Sequence, residues 1–170
     1  SNLGGIFADW SRTVPAEAAS KLSQLTDGNA STTTTYVIAQ RWLQADAPAA
    51  MQWIDAMPMG TTRDFATLDV VAYDATIEPA EAFKWAQTIS DGQTRLEGMT
   101  AAAVQWAAVD ANAAIAAVQS TQLTADEQTT ILNAVQQQVK SGMPPSPPYF
   151  NGPNVHVIKR NSGATGVPFD

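Results

Sequence analysis

A short pattern returns along this chain every 32 residues. Trp10, Trp42 and Trp106 share one register, Ala18, Ala50, Ala82 and Ala114 a second, and Gly28, Gly60 and Gly92 a third. Whole strings match as well. Val14-Pro15-Ala16-Glu17-Ala18 aligns two periods on with Glu78-Pro79-Ala80-Glu81-Ala82, and Gly60-Thr61-Thr62-Arg63 aligns one period on with Gly92-Gln93-Thr94-Arg95. A fixed period of about 20–50 residues marks stacked supersecondary units, each burying its apolar face only against its neighbours. The expectation is an all-α superhelix, a solenoid of about four two-helix units over residues 1–31, 32–63, 64–95 and 96–127. A capping helix over 125–140 completes a repeat domain of residues 1–142, and residues 143–170 form a proline-rich, extended tail.

Within one period, two helical patterns flank an acidic residue. In the second unit Tyr36, Ala39, Trp42 and Leu43 lie on one face of a helix expected over Thr33–Gln44. Ala50, Trp53, Ile54 and Met57 lie on one face of a helix over Ala47–Met57. Between the two falls Asp46, and at the same register in later units Glu78 and Asp110; Pro48 and Pro79 follow the first two. A carboxylate at a helix start accepts from free amides and complements the dipole, and proline in the first turn costs no hydrogen bond. Asp46 and Asp110 therefore read as caps, with Glu78 the poorer capper. Gly28, Gly60 and Gly92 read as left-handed residues closing the second helices. The recurring alanine is the crossing point of paired helices, small enough for a tryptophan to lie across it.

Past the repeats, Thr124 and Glu127 make a capping-box signature for the last helix. Six of the ten prolines follow from Pro144 onward, which excludes helix and favours polyproline-like chain. Val155-His156-Val157-Ile158 reads as one short strand. Apolar Tyr149 and Phe150 argue that the tail is not disordered but packs on the last unit.

Charge and composition narrow the partners. Sixteen acidic against nine basic residues give a net charge of −7, and the few cations are scattered. Nucleic acid needs a basic stripe, so it is excluded, and basic or neutral partners fit better. The absence of cysteine removes disulfides and thiolate metal sites. No run reaches the roughly 18 consecutive apolar residues of a membrane helix, because Gln105, Asp110 and Asn112 interrupt the alanine-rich stretch. No signal peptide is visible at Ser1, as in a processed chain or one with a cloning remnant at Ser1-Asn2.

The spacing of Trp, Ala and Trp, with Glu-Pro-Ala-Glu-Ala between helices, resembles tandem repeats of uncharacterised bacterial helical-repeat proteins that are often exported. The resemblance spans about residues 6–132. It implies a helical solenoid and an exported location, and it carries no catalytic residues over. The tetratricopeptide repeat is similar in architecture, but its 34-residue period and its Gly/Tyr positions are absent.

Few residues offer chemistry. His156, the only histidine, lacks neighbours that would orient it as a base or metal ligand. Asp46, Glu78 and Asp110 would stand about 10 Å apart in a stack, too loose for a retaining carboxylate pair, so capping is the better reading. Arg63 and Arg95 open first helices, where a cation opposes the dipole. They either cover carbonyls at the ends of neighbouring helices, pairing with Asp64, Asp91 or Glu97, or form an anion-binding ladder. Asp74 stands in the tryptophan register, which leaves either a polar pocket beside Tyr73 or a shift by which Tyr73 supplies the ring. The tryptophans read as core. Asn29-Ala30-Ser31 matches a glycosylation acceptor. Gln40, Gln44 and Gln105 are the polar residues expected on the inner face of the first helices, suited to hydrogen bonding rather than catalysis.

These readings converge on a non-enzymatic scaffold for a protein or peptide partner, or a spacer in a larger exported protein, with no cofactor, no metal and no membrane insertion. The alternative is a small-molecule or anion binder, or an enzyme, using Tyr73, Asp74, Arg63 and Arg95.

Overall fold

The structure, a computed structural model, describes residues 14–22 and 28–153. Those residues are all-α: α1 (Pro15–Lys21), α2 (Gly28–Ala45), α3 (Ala47–Asp55), α4 (Thr61–Asp74), α5 (Pro79–Gln87), α6 (Gly92–Gln119) and α7 (Ala125–Ser141). Trp10, His156 and the strand expected at 155–158 lie outside the described residues.

The acidic register marks where helical backbone is interrupted. Asp46 has φ −155 and ψ 85, Glu78 φ −132 and ψ 73, and Asp110 φ −150 and ψ 92; Val14, one period before Asp46, has φ −146 and ψ 70. Side-chain chemistry at these breaks follows chain length. Asp46 Oδ1 accepts from the Ala49 amide at 3.2 Å and Asp110 Oδ1 from the Ala113 amide at 2.9 Å. Glu78, one methylene longer, makes no side-chain cap, and it acts on the helix only through its charge. The break at Asp110 lies inside α6, because no proline follows it there. By length and composition α6 could cross a membrane, but Asp110 kinks it and it packs against α4, α5 and α7.

Each helix packs on the next helix or the one after it: α1 on α2, α2 on α3 and α4, α3 on α4, α4 on α5 and α6, α5 on α6, and α6 on α7. The alanine register sits at the centre of this packing. Ala18, Ala50, Ala82 and Ala114 are all fully buried, as a helix crossing point without room for a longer side chain requires. The core then runs along the chain in patches: Ala18 with Ile38; Ala39, Leu43, Ala50, Ile54, Ala66 and Val70; and a third from Val71 through Phe83, Met99 and Ile131 to Val135. The described tryptophans, Trp42, Trp53, Trp85 and Trp106, are only half-buried lids on these patches. Trp42 and Trp53 meet at 5.4 Å between ring centroids, and Phe83 and Trp106 at 6.0 Å, both tilted as aromatic quadrupoles prefer.

Two boundaries differ from expectation. Helix α2 starts at Gly28 rather than Thr33, so the threonine run lies within it despite weak helix propensity. Burial explains the reversal, since Thr35 is fully enclosed. The glycine register does not close second helices either. Gly28 and Gly92 are the first residues of α2 and α6, and Gly60, at φ 147, is the cap before α4. The second helices instead end in right-handed residues, Ala56 and Thr88. After α3 a further turn is blocked by Pro58. Among the described residues only Gly142, at φ 61 and ψ 2 after α7, closes a helix in the left-handed conformation. The capping box at Thr124 and Glu127 is formed as expected.

Because the alanine column has no spare volume, Ala82→Leu is expected to destabilise the fold by about 1–3 kcal/mol, read as a lower urea midpoint. Exposed Ala116→Leu stays within about 0.5 kcal/mol.

Candidate functional site

The four candidate residues do not form one site. Arg63 lies in the first turn of α4 and Asp74 at its last residue, about 16 Å apart along the axis at 1.5 Å per residue. The Arg63 guanidinium is buried. Its Nη1 donates to the Thr88 carbonyl and to Thr88 Oγ1, each at 3.3 Å, and its Nη2 to Asp55 Oδ1 at 3.3 Å. Arg95 Nη1 donates to the carbonyls of Ile89 at 3.1 Å and Ser90 at 3.4 Å. Both arginines thus cover carbonyls just past a second helix, which answers why a cation stands at the start of a first helix. Neighbouring Asp64 completes the same tie, accepting from the Ser90 amide at 2.8 Å, Ser90 Oγ at 2.7 Å and the Asp91 amide at 3.0 Å.

Tyr73 packs on the patch of Ala39, Leu43, Ala50, Ile54, Ala66 and Val70, supplying the ring that the register lacks. Asp74 is buried, and its carboxyl is pushed up to about 6, first by desolvation and then by the charges of Glu78 and Glu81. No group of three or more potential metal ligands exists among the described residues.

A different arrangement brings polar side chains together. After Gly142 turns the chain out of α7, the proline-rich segment 143–153 runs back over the first helices as an irregular strap. Four prolines, 144, 145, 147 and 148, hold φ near about −65° and remove amide donors, leaving carbonyls as its polar groups there. Three of those carbonyls along the strap are read by side chains. Gln138 Nε2 of α7 donates to Met143 O at 2.5 Å, Gln105 Nε2 of α6 to Ser146 O at 2.6 Å, and the Tyr36 hydroxyl of α2 to Phe150 O at 3.4 Å. Gln105 is buried, only 8% exposed, so this bond also satisfies a group that would otherwise lack solvent. Gly152 lies against the Tyr36 ring so closely that a Cβ there would stand 3.0 Å from Cε1. The strap therefore reaches past the last unit, where sequence reasoning placed it, as far as α2. Between strap and α6 is a cavity of about 510 Å³, lined by Leu96, Thr100, Val104, Thr130, Tyr149 and Phe150 among others.

Asp69, 7% exposed, lies on α4, the helix that packs against both α2 and α6. Its Oδ2 is buried with no hydrogen-bond partner among the described residues. Desolvation pushes its carboxyl up to about 8. The Tyr36 hydroxyl is raised to about 12, by burial first, then by Asp69 and Tyr149. Tyr36 thus feels both Asp69 of α4 and Tyr149 of the strap.

Of these residues, Gln105 was recognisable as a polar inner-face position, whereas Tyr36 read as core. Asp69 was missed although a signal existed: its register holds Val37 one period before and Ala101 one period after. A carboxylate interrupting an apolar column is the departure to look for. No protein-family model, curated protein or solved structure matches the chain.

The carboxyl of Asp69 fixes a pH dependence. A folded-state value raised to about 8 means that the folded chain holds a proton the unfolded chain has already released. Stability is then lost as pH rises between about 4 and about 8. Asp74 adds to this loss between about 4 and about 6. Asp91 and Glu127, held low chiefly by backbone bonds at Thr94 and Thr124, lose their contribution on the acid side. Thermal melts are expected to peak in mild acid and fall toward pH 8. Asp69→Asn removes most of the loss above about pH 6 and melts higher than the parent chain at pH 8.

Proposed function

We propose that this chain is a non-enzymatic helical-repeat scaffold that binds extended, proline-containing peptide along the face made by its first helices. The observation that carries the reading is the strap itself: side chains from α2, α6 and α7 each donate to a main-chain carbonyl of an extended segment. Main-chain recognition of this kind accepts any extended sequence of suitable shape, and proline lowers the entropy lost on binding. On this reading segment 143–153 occupies in cis a groove that a partner peptide takes in trans.

The architecture proposed is a solenoid of four two-helix units with a final helix. Three features support it: the equivalent backbone breaks at Val14, Asp46, Glu78 and Asp110, the buried alanines at one register, and helix contacts confined to neighbours. Such stacking lines up first helices into one continuous face. The commitment of Arg63 and Arg95 to carbonyls argues for binding over an anion-handling or catalytic role at those residues.

The test is fluorescence anisotropy with a labelled peptide of residues 143–153. A chain ending at Gly142, with its helicity checked by circular dichroism, is expected to bind saturably. The full chain binds about tenfold more weakly or worse, because a tethered segment competes at roughly millimolar effective concentration. Gln105→Ala in the shortened chain costs about 1 kcal/mol, roughly fivefold in affinity. A shortened chain that is helical yet fails to bind the peptide would remove the reading.

A further inference from the structure

The strap satisfies the groove incompletely. Between Met143 and Pro153 it contains no basic residue, and the only buried side-chain atom without a partner among the described residues is Asp69 Oδ2. Asp69 belongs to α4, the helix between α2 and α6 in the packing order, and those two helices grip the strap at Phe150 and Ser146. Its field reaches the Tyr36 hydroxyl, the group that holds Phe150 O. A lone buried carboxyl is costly wherever it stands, and no bond inside the described fold offsets that cost. The apolar residues at its register in neighbouring units, Val37 and Ala101, show that packing alone does not call for an acid there.

We infer that Asp69 is a specificity site of the groove, and that the peptide it selects carries an arginine or lysine next to its proline-rich stretch, whose cation pairs with Asp69 once the peptide has replaced the strap over Tyr36. This rests on the peptide-binding reading and adds the chemistry of the ligand. The cation gives Oδ2 its missing donor and stabilises the ionised acid, a charge-assisted bond stronger than a neutral one. The overall charge of −7 favours approach of a basic peptide over an acidic one. The strap of residues 143–153 brings no cation of its own, so a basic peptide displaces it.

The experiment uses the full chain. Three labelled peptides are titrated: residues 143–153 unchanged, the same with Phe150→Arg, and the same with Asn151→Arg, since successive side chains of extended chain point in different directions. Each is measured with the parent protein and with Gly152→Val, whose added atoms meet the Tyr36 ring and loosen the end of the strap. One arginine peptide is expected to bind about tenfold or more tightly than the unchanged one. That gain disappears in Asp69→Asn and in Asp69→Val, the second of which matches the apolar register, while the unchanged peptide keeps its affinity within about twofold. If the unchanged peptide binds but arginine brings no gain, or if the gain survives both Asp69 variants, the inference falls and the peptide-binding reading stands. If no peptide binds even the loosened chain, both fall.

Discussion

One residue of non-helical backbone between paired helices governs the rest of this structure. At Asp46 and Asp110 the chain leaves helical dihedrals for a single residue and re-enters them at once, and Val14 and Glu78, with similar dihedrals, stand directly before α1 and α5. So short a joint leaves little freedom in how one helix follows the next, and the second helix must come down beside the first. The partner must then be close, which is why Ala18, Ala50, Ala82 and Ala114 have no exposed surface. With the pairs set, burial of Ile38, Ile54, Val71 and Ile131 follows from the 3.6-residue period of each helix.

Polar chemistry in the fold divides between two ends of the first helices. At their N-terminal turns Arg63, Asp64 and Arg95 engage the loop carbonyls and amides of Thr88 to Asp91, so the connection is held by specific bonds rather than by burial alone. Farther along the helices, Tyr36, Asp69 and Gln105 lie in or beside the path of the strap. The first set is internally satisfied, as structural groups tend to be. The second holds the one buried oxygen without a partner among the described residues.

Much of this was legible in the sequence, because it depends on neighbours. The 32-residue register located the helix breaks, Asp46 and Asp110 announced themselves as caps by side-chain length, and Thr124 with Glu127 announced α7. The glycine register was misread, since glycine suits either side of a short turn: it stands at the beginning of first helices, where Gly60 takes φ 147, and not at the close of second ones. What remained hidden is long-range. Phe150 and Tyr36 are 114 positions apart, and no periodicity relates a proline-rich tail to a tyrosine that also fits a helix face. Asp69 was visible as an exception to its column, but its lack of a partner follows only from three-dimensional packing.

Stacked units that touch only their neighbours behave as a nearly one-dimensional lattice, whose ends fray independently of each other. The strap changes that topology. By leaving α7, crossing α6 and fastening at Tyr36 of α2, it closes a long loop over units that would otherwise communicate only step by step. Fraying at α2 then loosens a contact made by the segment after α7, and the converse holds, so these two regions open together. The closing segment is also the last of these parts to leave the ribosome. Helices α2, α6 and α7 are thus made before the segment that lies across them.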